Sequence, residues 1–256
     1  MIELLNKEMY YLRPLCKGKK NIDLWSCIEG KMGKAWVDSK KDPTIAIVVV
    51  ADFCHLLGSI KDKRDETKIS GLLDKCKRKI IVADDVSWVS ILEKYYPNSF
   101  KRFSRFSIKR EPDIFQKNIL NDFISAVEQE FKIQRIDEVL YYKVIEDKFM
   151  ADCCSNFSSL KEFLKYGMGY VIVHNEEIIS GASSYSSCEG FIDITIGTKE
   201  EYRQKGLALA CASKLILECL EKNIYPVWDA VDLRSVALAE KLGYHLDKEY
   251  EVYSIS

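Results

Sequence analysis

Apolar residues recur along this chain in two rhythms, and the switch between them marks out its elements. Continuous apolar runs at 34–38 and 44–51 read as strands, the second carrying β-branched Val48, Val49 and Val50 as a buried strand does. A weakly helical stretch at 72–77 precedes a short strand at 79–83. An amphipathic helix follows at 86–95, stopped by Pro97, and then an alternating strand at 103–109. Residues 61–68 are almost all polar or charged and read as a solvated loop or helix end. After Glu111-Pro-Asp-Ile114 the period becomes helical at 115–131, 136–150 and 158–166, with Ser158 or Ser159 placed to cap the third helix.

The second half then changes to strands. Runs at 170–173 and 178–185 flank His174-Asn-Glu-Glu177, a hairpin signal, and Cys188-Glu-Gly190 turns the chain into a strand at 191–198. A helix over 206–222 is apolar nearly all round, as when a helix packs on a sheet, with Asn223 as a left-handed cap. On its wet side Glu218 and Lys222 stand one turn apart and should pair for a few tenths of a kcal/mol. A strand at 225–230 leads to a helix capped by Asp232, with Val236, Ala239 and Leu242 inward and Gly243 ending it. A strand at 250–255 closes the chain.

Composition narrows the function classes. A chain of 256 residues is one large domain or two small ones, and 47% hydrophobic residues suffice for a core. A net charge of −1 and the lack of a basic–aromatic cluster argue against nucleic acid as a partner. The lack of any 18-residue apolar run argues against a membrane span. The first residues lack the basic-then-apolar order of a signal peptide. The nine cysteines include no Cys-x-x-Cys pair, and several sit in apolar runs, which suits a reducing, cytoplasmic setting better than a disulfide framework. His55, His174 and His245 are far apart in sequence, so no metal site is expected.

The candidate chemistry lies between strand 191–198 and the helix after it, in Arg203-Gln204-Lys205-Gly206-Leu207-Ala208. A strand that feeds a helix through a Gly-containing turn is an anion site. The first helical N–H groups lack intrahelical partners, and Gly206 lets a ligand approach the backbone. The order is neither the three-small-residue dinucleotide fingerprint nor a P-loop.

This loop resembles the pyrophosphate loop of the GNAT acetyltransferase superfamily, Arg/Gln-x-x-Gly-x-Gly/Ala. The resemblance extends over about residues 130–256 through a second signature, here Asp232-Leu-Arg-Ser235-Val-Ala-Leu238-Ala-Glu-Lys241-Leu-Gly243-Tyr244. Trp228-Asp229-Ala230 is similar to the fifth strand of a little-characterised bacterial subgroup. The resemblance implies an α/β fold with a mixed central sheet flanked by helices. It also implies an N-acetyltransferase that uses acetyl-CoA as cosubstrate and a small-molecule or protein amine as acceptor, with direct attack in a ternary complex. The loop 203–208 would hold the pyrophosphate, and backbone N–H groups around Ile196, Gly197 and Thr198 would polarise the thioester carbonyl. A homodimer is left open.

Two departures bear on catalysis. Asp232 replaces the usual Asn, and both cap helices well. Ala239 stands where many relatives place the tyrosine that protonates the departing thiolate, which leaves Tyr244 or Tyr253 as substitute phenols and a non-catalytic acyl-CoA binding or sensor protein as the alternative reading. For the base, Asp193 is the first candidate, because Ile192 and Ile194 point the other way if the strand alternates; Asp229 and Glu189 are the others.

The first half echoes the second in element order, and Val82-Ala-Asp-Asp-Val-Ser87 resembles Val231-Asp-Leu-Arg-Ser235. The expected organisation is a smaller α/β domain at 1–130, read as a degenerate GNAT-like repeat without the loop, and an acetyltransferase domain at 131–256.

Overall fold

The computed structural model describes residues 1–61 and 63–256; at 63–65 and 68 it describes the backbone only. Of the polar run 61–68, residue 62 lies outside the described residues and residues 63–68 lie in a helix. The chain forms two compact units, residues 1–105 with 250–256, and residues 106–249. The change of unit therefore falls before the expected 130/131, and the chain end belongs to the first unit. The reason lies in pairing and packing: Tyr253 pairs with Ile81, and Tyr253 and Ile255 join the first unit's core.

In chain order the first unit holds β1 (Ile2–Glu3), α1 (Ile22–Ile28), β2 (Lys34–Val37), β3 (Ile45–Val50), β4 (Phe53–Gly58), α2 (Lys63–Ser70), β5 (Ile80–Ala83), α3 (Val86–Tyr95) and most of β6 (Lys101–Ile108). Its sheet begins β1-β2-β3-β4-β5, antiparallel except for the parallel β4–β5 pair, and continues past β5 through the chain-end strand 246–254 to β6. Strand β4 escapes the sequence reading, because Ala51, at a left-handed φ of 47°, and Asp52 fold β3 straight back on itself. Ile45, Ile47, Leu56, Leu73, Trp88 and Leu92 fill this unit's core.

The second unit continues with α4 (Lys117–Ser125), β7 (Lys132–Arg135), α5 (Glu138–Glu146), α6 (Leu160–Tyr166), β8 (Gly169–His174), β9 (Glu177–Cys188), β10 (Phe191–Thr198), α7 (Leu207–Glu221), β11 (Tyr225–Val227), β12 (Asp229–Ala230), α8 (Leu233–Lys241) and β13 (Leu246–Ser254), whose end crosses back to the first unit. Its sheet runs β11-β10-β9-β8-β7, with only β10–β11 parallel. Each unit thus has four strands joined antiparallel and a fifth added parallel after a helix.

Local sequence explains the strongest elements. The β8–β9 hairpin turns on Asn175 and Glu176, both left-handed at φ 49° and 66°, as a tight two-residue hairpin requires. Ser159, Asp137 and Asp232 cap α6, α5 and α8 by accepting from Glu162, Leu140 and Ser235 N–H. Helix α7 buries Leu207, Cys211, Leu215, Ile216 and Cys219 with Ile172, Ile179 and Ile192 of the sheet, each large aliphatic side chain stabilising by about 1.5–3 kcal/mol. Strand β7 stands in what reads as loop, because its four residues carry only one apolar side chain, Ile133.

Glu218 corrects the expectation of a weak surface pair. Its side chain is only 10% exposed and accepts two hydrogen bonds from Arg135 Nε, at 3.1 and 3.0 Å, and one from Nη2 at 2.9 Å, with Lys222 at 2.7 Å. Burial alone would raise its pKa, but the bonds from Arg135, Lys222 and Tyr170 outweigh it and hold the carboxyl down at about 2. Its stabilising effect is complete above the ordinary carboxylate range and fades as pH falls from about 5 towards 2. Glu218→Gln should cost about 1–2 kcal/mol at neutral pH, leaving Arg135 without its partner, and should flatten the loss of stability across that acid window. Urea unfolding at stepped pH checks this; an unchanged acid slope would contradict it.

Candidate functional site

The site is where two strands of the second unit part. β10 and β11 pair in register only at Phe191, Ile192 and Asp193, opposite Tyr225, Pro226 and Val227. Beyond that β11 ends, and after Trp228 the chain continues as β12, which pairs with Phe106 and Ser107 of β6 instead. The expected single strand 225–230 is therefore two pieces with different partners. On the side that β11 leaves, no described strand pairs with 194–198.

The backbone directions follow from the β9–β10 ladder. Lys199 N–H donates to Ile179 C=O at 2.9 Å, and antiparallel pairs alternate, so Gly197 and Thr195 also face β9. The N–H groups of Ile194, Ile196 and Thr198 then point to the parted side. The three expected carbonyl-polarising residues divide accordingly. Ile196 and Thr198 face the opening, and Gly197 faces β9, its C=O accepting from Ser180 Oγ at 3.1 Å.

Asp193 stands where the strands part. Its Oδ1 accepts from Ile194 N–H at 3.1 Å, and its side chain lies opposite the buried Ile192 and Ile194, as alternation requires. Arg110, a residue without a sequence signal, stacks on Phe191 at 5.3 Å and interacts electrostatically with Asp193. Burial lowers the Arg110 pKa, and the Asp193 charge opposes that fall. Ser186, the cross-strand neighbour of Asp193, has a buried hydroxyl with no hydrogen-bond partner among the described residues. An orphan of this kind is what a bound water or ligand satisfies.

At the other end of β10 the loop enters α7. Arg203, Gln204, Lys205 and Gly206 are exposed, Leu207 is buried and Ala208 half-buried. Gln204 and Gly206 are left-handed at φ 64° and 77°, and no side chain caps the helix. A Cβ at Gly206 would meet nothing within 4 Å, so the glycine serves its backbone angle and an open approach. Arg203 Nε reaches Thr198 C=O at 3.4 Å, and the Lys205 ammonium lies 5.3 Å over Phe131 and 5.7 Å over Tyr202. Lys199 is engaged elsewhere, between Asp147 at 3.0 Å and Glu177 at 2.6 Å.

The corresponding place in the first unit is closed by its own side chains. Past the β4–β5 pairs, Asp84 N–H donates to Leu56 C=O, and Gly58 N–H donates to Asp84 Oδ2 at 3.0 Å. Trp88 Nε1 donates to Gly58 C=O at 3.0 Å, and Ile60 N–H donates to Ser87 Oγ at 2.9 Å. The end of β4 has its hydrogen bonds filled from within the unit, and an entering ligand would have to break them.

Tyr244 sits in the core. It is 1% exposed, its hydroxyl donates to Pro226 C=O at 2.8 Å, and Phe115 and Trp228 pack edge-on against it. Burial holds its pKa well above the ordinary phenol value. That placement suits packing and does not suit proton transfer to a leaving group. Tyr244→Phe should lower stability by about 1–2 kcal/mol, by orphaning a buried carbonyl, and leave turnover unchanged. Denaturant midpoints and steady-state rates check this. Ala239 is likewise fully buried, so that position offers the site no phenol. Tyr253 belongs to the first unit, where its hydroxyl meets Glu251; Asp229 lies on β12 and Glu189 in the β9–β10 turn.

The family model for GNAT acetyltransferase matches residues 13–253, which takes in both units rather than only the second half. A GCN5-related N-acetyltransferase-like protein from Streptococcus suis is 34% identical and superposes with a TM-score of 0.87 over 98% of this chain and 99% of that one. An uncharacterised N-acetyltransferase of Bacillus subtilis, YdfB, is 26% identical over 69% of this chain and 66% of its own length. A tandem GNAT protein from the clavulanic acid biosynthesis pathway is 10% identical, with a TM-score of 0.57 over 99% of this chain and 97% of its own, a likeness of fold alone. Among the described residues no helix is long and apolar enough to cross a membrane.

Proposed function

The chain belongs to the GNAT acetyltransferase family, and from that premise we propose that it transfers an acetyl group from acetyl-CoA to a primary amine of a small molecule or protein, by direct attack in a ternary complex. The observation that carries this reading is the parting of β10 from β11 beside an uncapped helix start, when the same place in the first unit is filled. Acetyl-CoA supplies an acetyl thioester when bound.

The residues present fit such a molecule. Residues 203–208 hold the pyrophosphate, chiefly through N–H groups at the start of α7, with Arg203 and Lys205 adding positive charge. Ile196 and Thr198 direct N–H groups to where the carbonyl would lie, and those donors are backbone, so Ala239 does not affect them. Holding amine and thioester together can lower the barrier by about 7–11 kcal/mol. Asp193 takes the proton that an ammonium acceptor must lose, directly or through water. The thiolate leaves without a protein phenol, which a thiol pKa of about 8.5 allows. The setting is cytoplasmic.

Acetyl-CoA titration by calorimetry, followed by turnover across a panel of amines, tests the reading. Absence of binding at millimolar acetyl-CoA by folded protein overturns it. Tight binding with negligible turnover selects instead a non-catalytic acyl-CoA binding protein, the reading favoured by the burial of both Ala239 and Tyr244.

A further inference from the structure

The first unit contains a pair of sulfur atoms that the acetyl-transfer site does not use. Cys54 lies on β4 and Cys76 ends the short 3₁₀ turn Leu73–Cys76, and both are fully buried. Their Sγ atoms stand 2.7 Å apart. Sulfurs in a disulfide are about 2.05 Å apart, whereas the Cys27–Met9 and Cys219–Met168 sulfur contacts in this chain stand at 3.8 Å. The pair is therefore nearer to a bond than to an ordinary contact. The other seven cysteines are also free thiols.

We propose that Cys54 and Cys76 form a reversible disulfide, taking small disulfides such as oxidised glutathione as the oxidant. One thiol loses its proton and attacks a sulfur of the oxidant, expelling one glutathione thiolate and leaving a mixed disulfide. The second cysteine, as thiolate, attacks the protein sulfur of that mixed disulfide and expels the other glutathione. Two protein thiols are oxidised, one small disulfide is reduced to two thiols, and the two protein protons end on them.

Access governs the rate. Burial, and then the neighbouring Cys76, hold the Cys54 thiol well above its ordinary pKa, so the closed protein reacts slowly. Cys76 nevertheless ends a short turn with an exposed face: Asp74, Lys75, Lys77 and Arg78 around it are exposed, and 3₁₀ hydrogen bonds are weakly aligned. Opening that turn exposes Cys76 without unfolding β4. Lys79, whose charge acts on Cys54 to favour its thiolate, stands at the same edge. The bond would tie β4 to the segment before β5 and close a loop across the parallel pair, raising stability without touching residues 193–208.

The test incubates the full-length protein with oxidised glutathione, blocks free thiols with iodoacetamide under denaturing conditions and maps peptides by mass spectrometry. The expected result is a linked Cys54–Cys76 peptide, with two fewer alkylations than the nine of the reduced protein. The thermal midpoint should rise by about 5 °C or more and return on adding reductant. Cys76→Ala and Cys54→Ala should each abolish the linkage and the shift. Full alkylation of both residues, stable glutathione adducts on them without a linkage, or a linkage to other cysteines would each overturn the proposal. Acetyl-CoA titration of the oxidised and reduced forms keeps this outcome separate from that of the acetyl-transfer reading.

Discussion

Gly206→Asp should reduce acetyl-CoA affinity by 100-fold or more, about 2.7 kcal/mol or above. Gly206 holds φ 77° at the start of α7, and a Cβ there would touch nothing within 4 Å. The substitution therefore meets no clash inside the protein. The left-handed backbone costs an L-residue about 1–2 kcal/mol, least for Asp and Asn, whose short side chains bond locally. An Asp carboxylate can also satisfy the first helical N–H groups, which keeps the fold intact while occupying the donors that a pyrophosphate needs. A carboxylate some 4 Å from a phosphate charge adds repulsion of about 4 kcal/mol at a surface-like dielectric. Gly206→Asn separates the causes: it has the same shape without the charge and should keep measurable, weakened binding. Calorimetric titration of both variants, with circular dichroism to verify folding, gives the answer. Wild-type affinity in the Asp variant would show that the loop only starts a helix.

Asp193→Asn should lower kcat by about 10²–10⁴-fold and leave the affinity for acetyl-CoA unchanged. The substitution is isosteric, and its amide oxygen still accepts from Ile194 N–H, so the point where β10 and β11 part keeps its geometry. What it loses is basicity and the charge that faces Arg110. The pH profile distinguishes the two roles. If Asp193 takes the proton, the mutant's rate should climb with pH as more of the acceptor becomes neutral, since an alkyl amine with a pKa of about 10.4 is almost wholly protonated at pH 7. If Asp193 only supports the strand, Asp193→Asn should retain full rate at every pH and Asp193→Ala should lose stability instead.

Much of the second unit was legible because local chemistry decided it. The caps at Ser159 and Asp232, the hairpin turn at Asn175 and Glu176, and the apolar stripe of α7 act over a few residues. Strands β4 and β7 were missed because each depends on partners rather than on its own pattern. β4 carries His55 and Gly58 within a run buried on both faces, and β7 is mostly polar on the rim of its sheet. Glu218 read as a solvent pair because Arg135, its main partner, is 83 positions away in sequence. Arg110 beside Asp193 had no signal for the same reason.

By itself the sequence determined the loop 203–208 and the order of elements that delivers it, since spacing and residue type are local properties. The tertiary structure decided which of the two similar units fills the end of its fourth strand with its own hydrogen bonds. Past β4 the hydrogen bonds are taken by Asp84, Ser87 and Trp88, whereas past Asp193 β11 turns away and Ile196 and Thr198 face an opening. It also decided that Tyr244 is a packing residue, because only folding brings the Pro226 carbonyl to its hydroxyl. Both outcomes depend on which distant backbone groups meet, and a buried polar group is stable only with the partner that folding brings to it.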